Sequence, residues 1–373
     1  MKVLVTGGAG FIGSHTVDLL LAKGHAVRVL DSLSPPVHVP GRRPEYLSTE
    51  VELAEGDVRD RAAWVRALDG VEAVFHLAAY QDYLPDFSKF FHVNSVGTAL
   101  LYEIAVEKRL PLRKIVVASS QSVYGEGKYR CEAHGVQYPS LRSRQQLNRK
   151  EWEPACSVCG RRLTPEPTDE SVVSPHNSYA MSKHSQEQIA LNLGRRYGLA
   201  TVALRYSITQ GARQSYRNAY SGVLRIFVMQ ALAGQPLTIY EDGGQLRDYV
   251  YAADVARANL LVLENDQADD RAFNVGGGKA HTVLDFARIV CKAVGRNVPL
   301  AVSGEYRLGD TRHIVSDVSR LRALGWEPTG SPDQSVAEYV AWAQTRPDFR
   351  NYADDAHRYM QTVGAVTMTT DGG

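Results

Sequence analysis

Cysteine is scarce, with 4 in 373 residues, too few for a disulfide scaffold in a chain of this length. No apolar run approaches the ~18–20 residues that cross a bilayer. The opening MKVLVTGGAG passes from one Lys straight into an apolar stretch cut by glycines, which does not read as a leader. The expectation is a cytoplasmic protein with no membrane partner. Basic excess is also missing: Lys+Arg of 42 against Asp+Glu of 41 leaves a net charge of +1, with no long Lys/Arg run. That balance excludes a dedicated nucleic-acid binder, so any charged ligand must be met locally. What is present is a 44% hydrophobic chain, enough for a large core with one major domain and a smaller appended one.

The order of patterns gives the fold class. KVLVT (2–6) is a β-branched run followed by GGAGFIG, and residues 11–23 carry apolar positions at helical spacing. Gly24 ends that helix, and the alternation repeats: strands AVRVLD (26–31), VELAEG (51–56), VEAVFHLAA (71–79), KIVVASS (114–120) and ATVALRY (200–206), with helices over about 60–69, 86–109 and 177–197. Strands alternating with helices predict an α/β fold, a Rossmann-type doubly wound parallel sheet covered on both faces. We expect residues 1–206 to form the dinucleotide-binding domain and 207–346 mainly a smaller α/β substrate lobe that returns in part to the first domain. Residues 347–373 read as a C-terminal tail, whose polar end VTMTTDGG (366–373) reads as frayed. Residues 125–176 break the alternation over more chain than a structureless loop usually spans, so an insertion at about 126–170 should have its own organisation or function.

Gly7, Gly10 and Gly13 stand three apart between a strand and a helix. Gly7 permits the tight turn, Gly10 lets backbone amides approach a pyrophosphate, and Gly13 allows close packing. Asp31 ends the second strand 18 positions after Gly13, near the spacing for a carboxylate on the adenosine ribose. Ser32 follows it with no adjacent Arg, which favours NAD over NADP. Tyr179 and Lys183, four apart on a helix, share one face. Ser119 and Ser120 sit at the carboxyl end of the fifth strand, where active sites of open α/β sheets lie. A free Tyr titrates near ~10, and a nearby ammonium and a cationic nicotinamide would favour its phenolate. The implied chemistry is proton abstraction from a hydroxyl coupled to hydride transfer.

TGGAGFIG, GDVRD (56–60), FHLAA (75–79), SSQSVYG (119–125), SYAMSK (178–183), LRY (204–206), RDYV (247–250) and FNVGGG (273–278) occur in that order. As a set over about residues 1–345, they resemble the extended short-chain dehydrogenases/reductases of the nucleotide-sugar epimerase/dehydratase type. The resemblance implies that Ser120, Tyr179 and Lys183 are catalytic. It implies an NAD site built from Gly7, Gly10, Phe11, Ile12, Gly13, Asp31, Ser32, Asp57, Val58, Leu77, Ala78, Ala79, Ser119, Tyr179, Lys183 and Tyr206, with Asp57 and Val58 flanking the adenine. It also implies a nucleotide-diphosphate sugar as partner, with Ser120, Gln121, Asn218, Arg247 and Arg312 as substrate contacts, and a homodimer. Family members that eliminate water carry an Asp-Glu pair after the Ser/Thr. Gln121 and Ser122 stand there and cannot exchange a proton as carboxyls do, which favours a 4-epimerase over a dehydratase. The Cys-containing insertion with WEPACSVCGRRLTPEPT (152–168) looks like the dTDP-L-rhamnose 4-epimerase branch.

The expected activity is therefore transient oxidation at the sugar C4 to a 4-keto species and re-reduction from the other face. The rival readings are a nucleotide-sugar dehydratase or reductase, and a non-catalytic NAD-binding regulator on the same fold. Ile208, in LRYSITQGA, stands where the family carries an Asn that helps hold the diphosphate, and the segment 79–91 is unusually aromatic. Cys131-x2-His134 and Cys156-x2-Cys159-Gly160 match a tetrahedral Cys3His zinc site of the structural kind. Cys291 reads as a core residue and His76 as structural. Arg142, Arg144, Arg149, Lys150, Arg161 and Arg162 read as a solvated face or interface rather than a ligand site.

Overall fold

The computed structural model describes residues 1–347 except Tyr83 and 219–221, and beyond them only positions 349, 358, 361, 362, 364, 366 and 367. Most of the predicted tail, and Tyr83 of the aromatic segment, therefore lie outside the described residues.

The first half of the chain runs β1 (Lys2–Thr6), α1 (Phe11–Ala22), β2 (Ala26–Asp31), β3 (Glu52–Glu55), α2 (Arg61–Ala67), β4 (Ala73–His76), α3 (Phe87–Phe90), α4 (Gly97–Glu107) and β5 (Lys114–Ser120). A 3-10 turn over Gln121–Tyr124 leads into the insertion: β6 (Tyr129–Cys131), β7 (Gly135–Gln137), α5 (Arg144–Asn148) and β8 (Thr164–Pro165). After it come α6 (Ser178–Tyr197), β9 (Thr201–Tyr206), β10 (Ile208–Gln210), α7 (Val223–Leu232), β11 (Leu237–Ile239), β12 (Leu246–Tyr251) and α8 (Ala252–Glu264). The remainder is β13 (Arg271–Val275), β14 (Ala280–Thr282), α9 (Val283–Val294), β15 (Leu300–Val302), β16 (His313–Ile314), α10 (Ser319–Arg322) and α11 (Pro332–Gln344).

Seven parallel strands form the main sheet in the order β3-β2-β1-β4-β5-β9-β13. The order reverses between β1 and β4, which opens a crevice beyond their carboxyl ends. Strand residues are apolar on both faces because both are covered. Val3 and Val5 pack with Val17 of α1 and Val255 and Ala258 of α8, whereas Leu4 faces Trp64 of α2 and Leu101 and Ile104 of α4. The second lobe holds a sheet β10-β12-β14, with β16 added to β12, around a core that includes Phe227, Phe286 and Tyr339.

Two expectations need correction, and the insertion has the internal organisation expected of it. The helix predicted over 86–109 is interrupted by a π-helical turn, Phe91–Val96, between α3 and α4. Residues 125–176 are organised, with a three-stranded antiparallel sheet in the order β7-β6-β8. Tyr129, Cys131, Cys156 and Leu163 form a small apolar cluster there, while Leu147 and Trp152 of the same segment pack on Tyr306. At the start of the segment read as frayed, Thr367 exchanges two backbone hydrogen bonds with Tyr306 and Val366 is buried.

Candidate active site

The glycine turn is shaped by what a side chain would strike. A Cβ on Gly13 would lie 2.1 Å from the Gly7 carbonyl oxygen, and one on Gly7 (φ +66°) would meet the backbone of Ala78 at 2.8 Å. The turn therefore packs directly on Leu77–Ala79 after β4. Gly10 caps α1 with no side-chain hydrogen bond and no acid in the first turn. The first-turn amides of α1, with half-buried Phe11 and Ile12 among them, suit a pyrophosphate. Asp31 is aimed at this turn: one carboxylate oxygen accepts from the Ala9 amide (3.0 Å) and the other from the Leu33 amide (3.0 Å). Ser32 beside it is exposed. Asp57 follows β3, its carboxylate gripped by the backbone and guanidinium of Arg59, while Val58 is buried beside Gly97. These features fit a dinucleotide along the crevice.

Successive residues of a strand face opposite sides of the sheet, and that separates the two serines at the end of β5. Ser119 donates to Glu187 (2.8 Å), which also pairs with buried Arg205. Its hydroxyl is thus taken into a buried ion network, contrary to a cofactor contact through that group. Ser120 accepts from the Ser122 amide (3.1 Å) and shares a hydrogen bond with the Tyr179 hydroxyl. Asn177 caps α6 by accepting from the Ala180 amide (2.8 Å), which fixes the turn that carries Tyr179. One turn later, buried Lys183 donates to Gln186 (2.5 Å).

Burial dominates the titration of this pair. It pushes the Tyr179 phenol up to about 12, against the Ser120 hydrogen bond, and pushes Lys183 down to about 7. The expectation that a neighbouring ammonium favours phenolate is therefore not met by the polypeptide alone. His76 is buried, hydrogen-bonds Thr6 (2.7 Å) and is driven down to about 3, first by burial and then by the Lys183 charge. Tyr206, expected at the cofactor, lies in the core with its hydroxyl on Asn259 (2.6 Å). Asn259 in turn donates to Thr16 (2.8 Å), so this group ties α8 to α1.

The substrate candidates separate sharply. Gln121 opens the 3-10 turn, buried, with its Oε1 lacking a hydrogen-bond partner among the described residues. Asn218 is buried on the loop before α7. Arg312 is only 2% exposed and is bound by Glu153, Glu241 and Asp242. A guanidinium neutralised on all sides does not receive a diphosphate, so its expected contact is corrected to a structural role. Arg247 instead donates only to the carbonyls of Leu246, Thr311 and Arg312. No carboxylate lies within 4 Å of it among the described residues, and its charge acts on Asp310 and Glu126 only at longer range. Arg142, read as part of a solvated face or interface, is 4% exposed and joins Glu126 and Glu241. It ties the insertion to the second lobe.

Over residues 3–142 and 155–276 the sequence matches the model of the NAD dependent epimerase/dehydratase family. The chain belongs to that family. It is similar to the dTDP-L-rhamnose 4-epimerase of Burkholderia thailandensis, with 34% identity over 360 residues, 94% of this chain and 97% of the relative. Among solved structures it resembles the UDP-glucose 4-epimerase of Thermotoga maritima with UDP-glucose, at TM-score 0.74 and 28% identity over 92% of this chain and 99% of the other. The Thermus thermophilus UDP-glucose 4-epimerase in complex with NAD superposes at TM-score 0.72 and 31% identity, with the same coverage.

One further feature of this family member escaped sequence reasoning, and the cysteine cluster expected from the sequence is gathered in space. The π turn points buried Asn94 at α6, where its amide donates to the Ser182 hydroxyl (2.9 Å), and Ser95 donates to the Ser182 carbonyl (3.2 Å). Both contacts fall next to Lys183, and π turns concentrate at functional sites. No local pattern announces such a turn. The insertion gathers Cys131, His134, Cys156 and Cys159 so that their ligand atoms all lie within 4.8 Å of one another. His134 Nδ1 is 3.5 Å from the sulfurs of both Cys131 and Cys156, and the sulfurs of Cys131 and Cys159 are 3.7 Å apart. Three thiols and an imidazole converging this closely fit a tetrahedral metal shell with every position filled by protein.

Proposed function

We propose that the chain is an NAD-dependent nucleotide-sugar 4-epimerase. The observation that carries this reading is the hydrogen bond between Ser120 and Tyr179, one helical turn from Lys183, at the carboxyl end of β5 and beside the glycine crevice. Ser120 holds the sugar C4 oxygen, and Tyr179 takes and returns its proton. Lys183, released from Gln186, orients the cofactor ribose. NAD, when bound, supplies reversible hydride acceptance at C4 and a positive charge that favours phenolate. Gln121 and Ser122 supply no carboxyl pair for elimination, so the transient 4-keto sugar is returned as a 4-epimer. Arg247, which has no ion-pair partner within 4 Å among the described residues, meets the diphosphate bidentately. A panel of UDP- and dTDP-sugars incubated with the enzyme should give 4-epimers without net NADH; accumulation of a keto sugar would favour a dehydratase or reductase.

Asp31 is the cofactor's ribose acceptor in this reading, so NAD should bind more tightly than NADP. Asp31→Ala should lower NAD affinity about tenfold to a hundredfold by removing charge-assisted hydrogen bonds, and should narrow the NAD/NADP gap. Calorimetric titration with both cofactors checks it, and an unmodified protein that prefers NADP would refute it.

The Cys3His cluster holds one structural zinc, which folds a knuckle whose apolar cluster, Tyr129, Cys131, Cys156 and Leu163, is small. A cytoplasmic location goes with this, since a thiolate set needs reducing surroundings. A homodimer belongs to the same proposal. It is supported by exposed Phe87, Val96 and Met181 on α3, the π turn and α6, which pack together.

A further inference from the structure

Glu153 lies in residues 143–154, the stretch that the family model leaves unmatched between its two matched segments. It is also where the cysteine knuckle meets the second lobe. The chain around it is stitched into the knuckle: Leu163 donates to the Pro154 carbonyl (3.0 Å) and Cys156 to that of Arg161 (2.8 Å). Its carboxylate pairs with exposed Arg162 of the insertion (3.1 Å) and also reaches beyond the insertion. One oxygen accepts from Nε and Nη2 of Arg312 (3.1 and 2.8 Å), and the other accepts from Nε2 of His313 (2.9 Å). The tautomer follows from the opposite side of the ring, because His313 Nδ1 accepts the Leu246 amide (3.0 Å) and so the proton sits on Nε2.

From there the path reaches the substrate candidate. Strand β16 lies beside β12 with His313 opposite Leu246. Arg247 is aimed by the carbonyls of Arg312 (3.0 Å) and Thr311 (2.8 Å). The segment that orients Arg247 is thus anchored by a carboxylate from outside the family pattern.

We propose that Glu153 is a positioning residue that fixes the 311–313 backbone, and with it the aim of Arg247, so that metal occupancy of the knuckle sets affinity for a nucleoside diphosphate. The inference rests on the reading that Arg247 meets a nucleotide-sugar diphosphate and that the knuckle holds zinc. It assigns to the insertion control of substrate binding, separate from cofactor binding and hydride chemistry.

The test uses the full chain with Glu153→Gln and Glu153→Ala, and reads UDP and dTDP binding by calorimetry, NAD and zinc per chain, and kcat and KM separately. Loss of a group that orients a ligand-binding side chain typically costs 10–100-fold. We therefore expect both nucleotide affinities to weaken and KM to rise by about that factor in Glu153→Ala, and by less in Glu153→Gln, which keeps an acceptor. NAD content should hold, and kcat should change by less than about threefold. Chelation of the wild type should weaken nucleotide binding similarly and add little in Glu153→Ala, because both interrupt one path.

Unchanged nucleotide affinity in a folded Glu153 variant overturns the proposal. So does a parallel loss of NAD, kcat and melting temperature in both variants, the mark of a merely structural residue. Absence of near-stoichiometric metal in protein purified without chelator or metal-affinity resin overturns the coupling to the knuckle. A wild-type protein that binds neither UDP nor dTDP overturns the nucleotide-sugar reading itself, an outcome distinct from a wild type that binds both while the variants match it.

Discussion

Tyr179→Phe should abolish most interconversion while leaving the protein folded and loaded with NAD. The substitution keeps the ring that fills the crevice wall and removes only the hydroxyl that shares a hydrogen bond with Ser120. Positioned proton transfer accelerates a reaction by about a hundredfold to ten-thousandfold, and the fall in kcat should lie in that range. The wild-type rate should rise with pH, because burial holds the phenol proton tightly and each turnover begins from the form that has lost it. That rise should vanish in Tyr179→Phe. Initial rates over a pH series, with NAD measured per chain, check both statements; near-normal turnover without the hydroxyl would remove Tyr179 from the reaction.

Gly13→Ala should act on the other half of the site and eliminate cofactor retention. The added Cβ would sit 2.1 Å from the Gly7 oxygen, 2.7 Å from the Gly8 Cα and 2.8 Å from the Gly7 carbonyl carbon. All three are backbone atoms, so no side chain can swing aside. The whole turn must move off α1, and overpacking of this kind typically costs about 1–3 kcal/mol of stability. Displacement also carries the amides and the Asp31 acceptor out of register with each other, since Asp31 is fixed through Ala9 of the same turn. The purified variant should contain no NAD and show a lowered melting temperature. Wild-type NAD content in Gly13→Ala would show that the turn is plastic and that the cofactor is held elsewhere.

The parallel sheet was legible because its strands are apolar on both faces and its turns carry glycine, a signal contained within windows of a few residues. The same holds for the glycine crevice, for Tyr179 and Lys183 on one helix face, and for the two Cys/His pairs. What escaped depends on partners far away in the chain. Arg312 reads like a phosphate ligand until Glu153 and Glu241, 159 and 71 residues distant, neutralise it. Arg142 reads as solvated until the second lobe closes over it. Ser119 and Ser120 look equivalent as neighbours, and only the pleat and Glu187 divide them. Asn94 was hidden because a π turn changes which side of a helix faces its neighbour without changing the residues that compose it.

The position of β13 at the edge of the main sheet has a consequence for biosynthesis. Its five residues follow β10, β11 and β12 of the second lobe in sequence but pair with β9 of the first. A ribosome that has released the chain as far as Tyr206 has exposed six strands whose last member, buried along its whole length in the finished protein, still offers a bare row of amides and carbonyls. That edge stays open until Arg271–Val275 emerges, and α8, which covers α1, arrives only shortly before it. The nascent chain therefore passes through a stage in which an apolar strand edge and an uncovered helix face are presented together, the condition under which incomplete α/β chains pair with one another or are held by chaperones.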